Sequence, residues 1–552
     1  MAFEALLDQV GSLGRFQILQ LAFCCIISIL LYPHVLLENF TAAIPGHRCW
    51  VDILDNDTVS DNDTGTLSQD ALLRISIPLD SNLRPQKCRR FIYPQWQLLY
   101  PNGSFSNMSE PDTEPCVDSW VYDRSFFSST IVTDWDLVCE YESQKSVVQS
   151  LFMAGTIVGS LIYGYLSDRF GRKIMCRLSL LQLAISDTCV AFAPTFLIYC
   201  LLRFLAGFCV VNITVNLFSM VLEWISPQAQ SMAVMLLLSS LSIGQMFLGG
   251  MAFAIRDWRT LQLTMSIPMF VLFLFSRWMV ESARWLIINN RIDEGLKELR
   301  RVASINGQKN TEEILTIEFL RSTMQKDLDR AQIKASIWSL FRAPKLRMRL
   351  ICLSFVMLAS NLPFFGLILN LQHLGRNVYL FQVLFGAVTF IGRFFAVWIL
   401  NNVGRRPSQM LFLFPVGLSI LVNTFLDQEM QTLRVALATL GTGALSAAIT
   451  STTVHQNELI PTKCRSIVGG FVSMFSMSGA VLAPLLMTLV RYSPHLPWIT
   501  YGVFPILAGL VVLCLPETRN LPLSNTIQDV ENDRKRTRKV KQEDTCVNVT
   551  KF

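Results

Sequence analysis

Residues 164–173 read GYLSDRFGRK. One acid and three bases crowd into these ten positions, directly after the charge-free run 146–167. Residues 400–406 read LNNVGRR and close a second apolar run, 377–404, whose one charge is Arg393. The two loops are fixed points of a longer pattern. Arg203 lies 32 residues after Gly171, and Arg434 lies 30 after Gly404. Glu223 follows its glycine by 52 and Glu458 by 54; Glu281 follows by 110 and Glu517 by 113. Four landmarks at a shared offset of about 230 residues predict two homologous halves. Short loops this rich in Arg and Lys stay on the cytosolic side of a membrane.

Working outward, apolar windows fill both halves. Residues 16–37, 204–222, 224–255, 260–276, 350–375, 407–426, 435–457, 466–490 and 492–516 carry no charge. The window 178–202 is broken by Asp187 and runs on past Arg203, with Pro194 marking a turn. A bilayer core of about 30 Å needs about 20 apolar residues per helical crossing. The chain has 552 residues, 51% hydrophobic and 16% charged, against about 25% charged in soluble domains. This excludes a soluble enzyme and a disordered chain and predicts an all-α integral membrane protein with twelve transmembrane helices. Residues 1–280 form one six-helix half and 350–516 the other. A highly charged segment, 281–349, joins them on the cytosolic side, with short amphipathic helices expected around 312–332, and 517–552 is a cytosolic tail. Parallel repeats of this kind place a substrate site at the midplane between halves that rock about it.

Residues 38–143 have a different character. Between 38 and 142 there are 17 acidic residues and seven basic ones. Sequons at Asn39, Asn56, Asn62, Asn102 and Asn107 mark glycosylation, and Cys49, Cys88, Cys116 and Cys139 suggest two disulfides with three possible pairings. An acidic, cysteine-containing segment after the first span is extracellular if both termini are cytosolic, which agrees with the basic loops. The loop 256–259 is an exception, basic yet expected outside. Sequons at Asn212, inside a span, and Asn548, in the tail, are expected to be silent. Glu4 and Asp8 precede the first span with no cleavage site, so no signal peptide is expected. The basic run 533–541 reads as a solvated tail, with anionic lipid as the other partner it fits. The chain has no Walker glycine loop, CxxC or HExxH, so no metal, cofactor, ATP-driven step or catalytic constellation is expected. A basic tail alone does not make a nucleic-acid binder.

These motifs carry a resemblance. GYLSDRFGRK resembles the signature loop of the major facilitator superfamily. ESARWL at 281–286, LPETRNLPL at 515–523, LLDQVGSLGRFQ at 6–17 and ENFTAAIPGHRCW at 38–50 resemble solute carrier family 22. LDSNLRPQKCRRF at 79–91, TEPCVDSWVYD at 113–123 and STIVTDWDLVC at 129–139 are similar to the organic anion transporter branch, and within it to the subgroup associated with steroid conjugates. The resemblance spans essentially the whole chain. It implies a plasma-membrane secondary transporter of organic anions such as steroid sulfates and glucuronides, with a counter-anion and membrane lipid as further partners. An organic cation or zwitterion carrier of the same fold and a non-transporting membrane protein are the alternatives.

The candidate residues fall into two sets. Arg393 sits midway along its span, where an unpaired charge is costly, and the matching position in organic anion transporters is basic. It is read as an anion contact, with a structural pair to Asp187 as the competing reading. Met477 stands where many relatives have arginine, which predicts a preference for monovalent, bulky anions over dicarboxylates. Phe364 and Phe365 match a tyrosine pair; Met357, Ile449 and Thr453 replace large aromatics of some relatives; Ser239 and Leu241 lie on the matching stretch of span five. Together they describe a wide apolar lining. The gating set is Asp168, Arg172, Glu223, Glu281 and Arg284 in the first half and Arg405, Glu458, Arg465, Glu517 and Arg519 in the second. The equivalent of Asp168 is Asn401, which predicts a weaker second latch. Asp187, and more weakly His34 and His455, are candidates for proton coupling, although Asp187 is also placed to reach water near its helix end.

Overall fold

The computed structural model describes residues 6–531 apart from 8, 12, 56–67, 81–82, 100–111, 309–315, 319, 322–340, 376, 428–429, 462–464 and 520–529. Twelve long helices account for most of it. They are α1 (Arg15–Leu36), α2 (Ser143–Phe170), α3 (Arg172–Ala191), α4 (Phe196–Trp224), α5 (Pro227–Ala254), α6 (Trp258–Phe275), α7 (Pro344–Ile368), α8 (Val378–Asn402), α9 (Arg405–Phe425), α10 (Gln431–Leu459), α11 (Arg465–Met487) and α12 (Leu496–Val512). Among the described residues eleven helices are long and apolar enough to cross a membrane, and Leu496–Val512 is a shorter apolar one. The turn expected at Pro194 separates α3 from α4, where Thr195 caps α4 by accepting the Ile198 N–H. Some boundaries differ, most of all where helices start in charge: α7 begins at Pro344 rather than 350 and α3 at Arg172 rather than 178, because their first turns carry Lys345, Arg347 and Arg349, and Arg172, Lys173 and Arg177, which a charge-free window omits. Proline suits that first position, where the missing N–H costs nothing.

Helices pack in repeated pairs. In the first half α3 lies on α4, and α1 lies on α4 and α5. In the second half α9 lies on α10 and α12, and α7 on α10, α11 and α12. Helices α5 and α8 form an extensive contact between halves. Small residues permit the tight crossings: a Cβ on Gly159 of α2 or Gly207 of α4 would overlap the opposing backbone carbonyl. The second half is centred on Val356, Ala359, Ala396, Phe412, Leu413, Ala448 and Val512, all buried.

At the end bearing residues 164–173, here the signature end, each half carries an apolar platform. Leu6, Leu7 and Val10 pack against Ile287, Leu296, Leu299 and Val302. The short helix Ile292–Asn306 ends at Gly307, whose φ of +75° fits glycine. Asn306 then clamps the start of α1: its Oδ1 accepts the Phe16 N–H at 2.9 Å, and its Nδ2 donates to the Val10 carbonyl at 2.9 Å. In the second half Val530 is buried with Leu346, Leu350 and Leu515, and the Glu531 carboxylate accepts the Lys345 N–H at 2.9 Å, capping α7. This part of the tail is docked rather than solvated. The basic run 533–541 and Asn548 lie outside the described residues, as does most of 312–332.

Residues Phe40–Lys145 with Ile255–Leu261 form a separate compact unit. It contains strand β1 (His47–Cys49), β2 (Arg89–Phe91), β3 (Thr113–Pro115) and β4 (Trp120–Tyr122), paired antiparallel as β1–β4 and β2–β3. The all-α reading holds for the membrane body, and this unit adds the two small ribbons. Of the three pairings left open by the sequence, it adopts Cys49–Cys116 and Cys88–Cys139. Arg90 bridges Glu114 at 2.8 Å and Asp118 at 2.9 Å. The loop 256–259 belongs to this unit, which accounts for its basic charge: Arg259 pairs with Asp134 at 3.1 Å, and Arg256 donates to the Ser125 carbonyl at 3.0 Å. Asn56, Asn62, Asn102 and Asn107 lie outside the described residues.

Candidate functional site

Arg393 points from α8 into the contact between halves. Its Nη1 donates to the Leu238 carbonyl and, at 3.0 Å, to the Ser242 hydroxyl, both on α5; its Nε donates to Ser446 on α10 at 3.2 Å. It is 8% exposed. No described carboxylate pairs with it, and the Asp187 alternative fails because Asp187 is engaged by His34 and Arg203. A buried guanidinium satisfied by neutral acceptors keeps its full positive charge. Ser242 also meets Thr389 at 3.1 Å, and Ser446 donates to the Thr389 carbonyl at 3.4 Å. Sequence reasoning missed Leu238, Ser242 and Ser446. The available signal was the Ser239-Ser240-x-Ser242 cluster in the otherwise apolar stretch 232–244 of α5.

The other lining candidates distribute along the same contact and around it. Ser239 is buried on the α5 turn that holds Arg393, and Leu241 is half-buried beside it. Ile449 and Thr453 are half-buried on α10, Thr453 bonded back to the Ile449 carbonyl at 2.9 Å. Met477 is half-buried on α11, and the Thr156 hydroxyl of α2 approaches its sulfur at 3.9 Å across the halves. Phe364 and Phe365 form an edge-to-face pair on α7, 5.6 Å between centroids. Met357 packs in the cluster with Leu353 and Val472, at the signature side of the second half.

The gating set resolves into two matching networks, one per half. Gly171 (φ +103°) and Gly404 (φ +116°) sit immediately before α3 and α9. Each leaves helix-start N–H groups free to bind an acid. Glu281 accepts from the Arg172 N–H at 3.1 Å and the Lys173 N–H at 3.1 Å; Glu517 accepts from Arg405 at 3.0 Å and Arg406 at 2.9 Å. A Cβ on Gly171 would lie 2.6 Å from the Glu281 carboxylate, so the glycine serves backbone and contact together. Arg172 pairs with Glu223 at 3.0 Å, and Arg405 grips Glu458 at 2.8 Å. Arg519 donates to the Asn402 carbonyl at 2.6 Å. Asp168, Arg284 and Asn401 are exposed. Asp168 and Arg284 make no ion pair among the described residues, while the Asp168 carbonyl accepts from Trp285 at 2.9 Å. The side chain of Arg465 lies outside the described residues. Every described ion pair here is internal to one half.

The two acids differ in one respect. Burial pushes the Glu281 carboxyl above its ordinary range, outweighing its backbone donors, with Glu223 nearby adding to the rise. At Glu517 burial also pushes upward, but the N–H groups of Arg405, Arg406, Arg519 and Thr518 together hold it below the ordinary range. A lowered folded value contributes stability above the unfolded value, lost as pH falls through the folded one; a raised value contributes below the unfolded value and is lost as pH rises through the folded one. Glu517→Gln is therefore expected to lower the thermal midpoint of purified protein at pH 7 (near the carboxylate plateau) more than Glu281→Gln does, the gap closing in acid. Equal losses at neutral pH would refute the assignment.

At the opposite end the halves are joined. The Asn39 amide donates to the Ile368 carbonyl of α7 at 2.8 Å and to Gln382 of α8 at 3.3 Å. Ser150 reaches the Val481 carbonyl at 3.4 Å, and Phe253 packs edge-on against Tyr379. Asn39 was a sequon candidate. The structure corrects that reading, since it is 2% exposed and its amide nitrogen is committed to hydrogen bonds, leaving no room for a glycan. Asn212 is likewise buried, bonded to Ser179 and Asn216. His455 is hydrogen-bonded between Gln409 at 2.9 Å and the Pro516 carbonyl at 3.0 Å, with Glu517, Glu458 and Arg405 of the second network nearby. Asp187 does not reach water as expected: it is buried beside His34 and Arg203, and Arg203 also meets Glu38 at 2.8 Å.

This arrangement has known counterparts. The description Major Facilitator Superfamily matches residues 140–484. The steroid transmembrane transporter SLC22A24 of Microcebus murinus is 71% identical over all 552 residues of both chains, and that of Homo sapiens is 69% identical over the same span. Human solute carrier family 22 member 10 is 60% identical, covering 97% of this chain and 99% of its own. Among solved structures, the partially occluded inward open conformation of the xylose transporter XylE from E. coli aligns with a TM-score of 0.56 at 17% identity, covering 70% of this chain and 90% of that one. The repeated networks, the twelve helices and these full-length relatives agree: the chain is a transporter of solute carrier family 22, within the major facilitator superfamily.

Proposed function

We propose that this transporter moves organic anions across the plasma membrane by secondary active, alternating-access transport, with amphipathic monovalent conjugates such as steroid sulfates and glucuronides as cargo. The observation that carries the reading is Arg393, a buried cation at the contact between halves with only neutral partners. A sulfate or carboxylate can replace those partners with a bidentate, charge-assisted pair. The steroid named in the relatives' descriptions fits a lining of Phe364, Phe365, Met357, Ile449 and Met477. A neutral Met477 leaves one cation for one negative charge. Basic loops at the signature end and the disulfides of the other unit favour cytosolic termini and an extracellular position for residues 38–143. On that orientation Asn39, Ser150 and Phe253 close the outer side, and the gating set is free to join the halves on the inner side in the alternate state.

Uptake of labelled estrone sulfate into cells expressing the chain tests this reading. Saturable uptake is expected, falling to background in Arg393→Ala at matched surface level. Uptake unchanged in the variant would sink the site, and no uptake across a panel of sulfates and glucuronides would sink the substrate class.

A further inference from the structure

The guanidinium of Arg393 has one open edge. Its Nε and Nη1 are spent on Ser446, Leu238 and Ser242, while Nη2 makes no hydrogen bond among the described residues. Helix α5 shows what faces that edge. It runs antiparallel to α8: a Cβ on Gly386 would lie 3.1 Å from both the Ser242 carbonyl and the Met246 nitrogen, and one on Gly249 would lie 2.7 Å from Val383. It runs parallel to α1: a Cβ on Gly244 would lie 2.4 Å from the Ile29 carbonyl, and Cys25 sits beside Ser240. At 3.6 residues per turn these two contacts occupy opposite sides of α5. Leu241 and Gln245 fall in one sector between them. The other sector carries Ile243 and Phe247, both exposed. On α1, Cys25, Ile29 and Tyr32 are spaced i, i+4 and i+7 and share a face. Side chains lean toward the N-terminus of their own helix, and α1 and α8 run opposite ways. Tyr32, one turn beyond Ile29, therefore leans toward the level from which Arg393 leans to meet it. The phenol and the guanidinium stand within electrostatic reach of each other.

The donors decide what this place can hold. Gln245 is 1% exposed, and its Nε2 is buried without a hydrogen-bond partner. The Tyr32 hydroxyl makes no hydrogen bond among the described residues, its one electrostatic neighbour there being Arg393. A buried donor without an acceptor costs free energy that a leucine at the same position would not. An acceptor brought by a ligand recovers that cost. The phenol O–H, the amide and the guanidinium edge together offer three donors and one positive charge, the complement of an oxyanion with one negative charge. We propose that Tyr32 and Gln245 complete an anion seat with Arg393, in which the sulfate or carboxylate head of the substrate accepts from all three. Tyr32 and Gln245 belong to the first half and Arg393 to the second, so a bound head ties α1 and α5 to α8. A ligand that holds three groups together favours the conformers that keep them together. Both residues thus set specificity for the charged end of the cargo, apart from the apolar lining that takes its body.

The proposal rests on the reading of Arg393 as the anion contact, and its test is binding rather than uptake, so the two fail separately. Labelled estrone sulfate is titrated onto purified full-length protein. Tyr32→Phe keeps the ring and removes the hydroxyl; Gln245→Leu keeps the volume and removes the amide. Each is expected to raise Kd about ten-fold, the worth of one hydrogen bond to a charged group. Neither is expected to lower the thermal midpoint of the unliganded protein, because neither group has a partner to lose there. A merely structural role would do the reverse, so a lowered midpoint in both variants overturns the proposal. Unchanged affinity in either variant overturns the three-donor seat, and with binding lost in Arg393→Ala it leaves the Arg393 reading standing. A wild type that does not bind estrone sulfate overturns both. Binding that follows the expected pattern without uptake in cells supports the seat and sinks the carrier reading alone.

Discussion

Arg203→Ala is expected to abolish folded protein at the cell surface. The side chain is 1% exposed and is the cation that faces both Glu38 and Asp187. Removing it leaves two buried carboxylates against one imidazole. Breaking a buried pair in this way costs about 3–5 kcal/mol, a large share of a native margin of roughly 5–15 kcal/mol. Size-exclusion profiles and surface labelling read the result. Replacing the pair together, Arg203→Leu with Glu38→Leu, is expected to recover part of the loss, because the cost arises from the stranded charge rather than from absent attraction. A single variant with normal surface level and profile would show that water reaches the cluster in the folded state, and would refute the burial argument.

The second large effect concerns the disulfide unit. Cys49–Cys116 closes a separation of 67 residues and Cys88–Cys139 one of 51, and the two loops interleave. Cross-links over loops of this length restrict the unfolded chain by about 4 kcal/mol each in the chain-entropy account. Among its described residues the unit has only two short ribbons and a few helical turns to hold it, so little else there offsets the loss. Cys116→Ser is expected to retain most of the protein inside the cell and to expose Cys49 to thiol reagents. Full surface expression of Cys116→Ser, with Cys49 unreactive, would show that the bridge is dispensable.

What was legible in the sequence followed from local rules. Apolar runs of a membrane's thickness gave the helices, because each run is decided within itself, and Pro194 gave the turn between α3 and α4. The paired landmarks survived intact: Glu281 and Glu517 do meet their glycine loops, and Arg172 and Arg405 do meet Glu223 and Glu458. Their repetition at one offset had already encoded the contacts. What was hidden depended on which helices touch. His34 and Asp187 lie 153 positions apart, and no period in the chain links them. The partners of Arg393 are one carbonyl and two serines, which have no charge signature. Asn39 satisfied a three-residue sequon, but its fate was set by α7 and α8, more than 300 positions away. Disulfide pairing was undetermined for the same reason, since four cysteines alone do not say which strands lie together.

The Asn306 clamp has a practical corollary. One amide holds the first turn of α1 and the segment before it, while the helix that carries it presents Lys297 to solvent. On the proposed topology the helix Ile292–Asn306 lies outside the bilayer and acts as a handle on α1. A fluorophore on a cysteine at position 297 would report the tilt of α1 during turnover, with no probe placed in the substrate path.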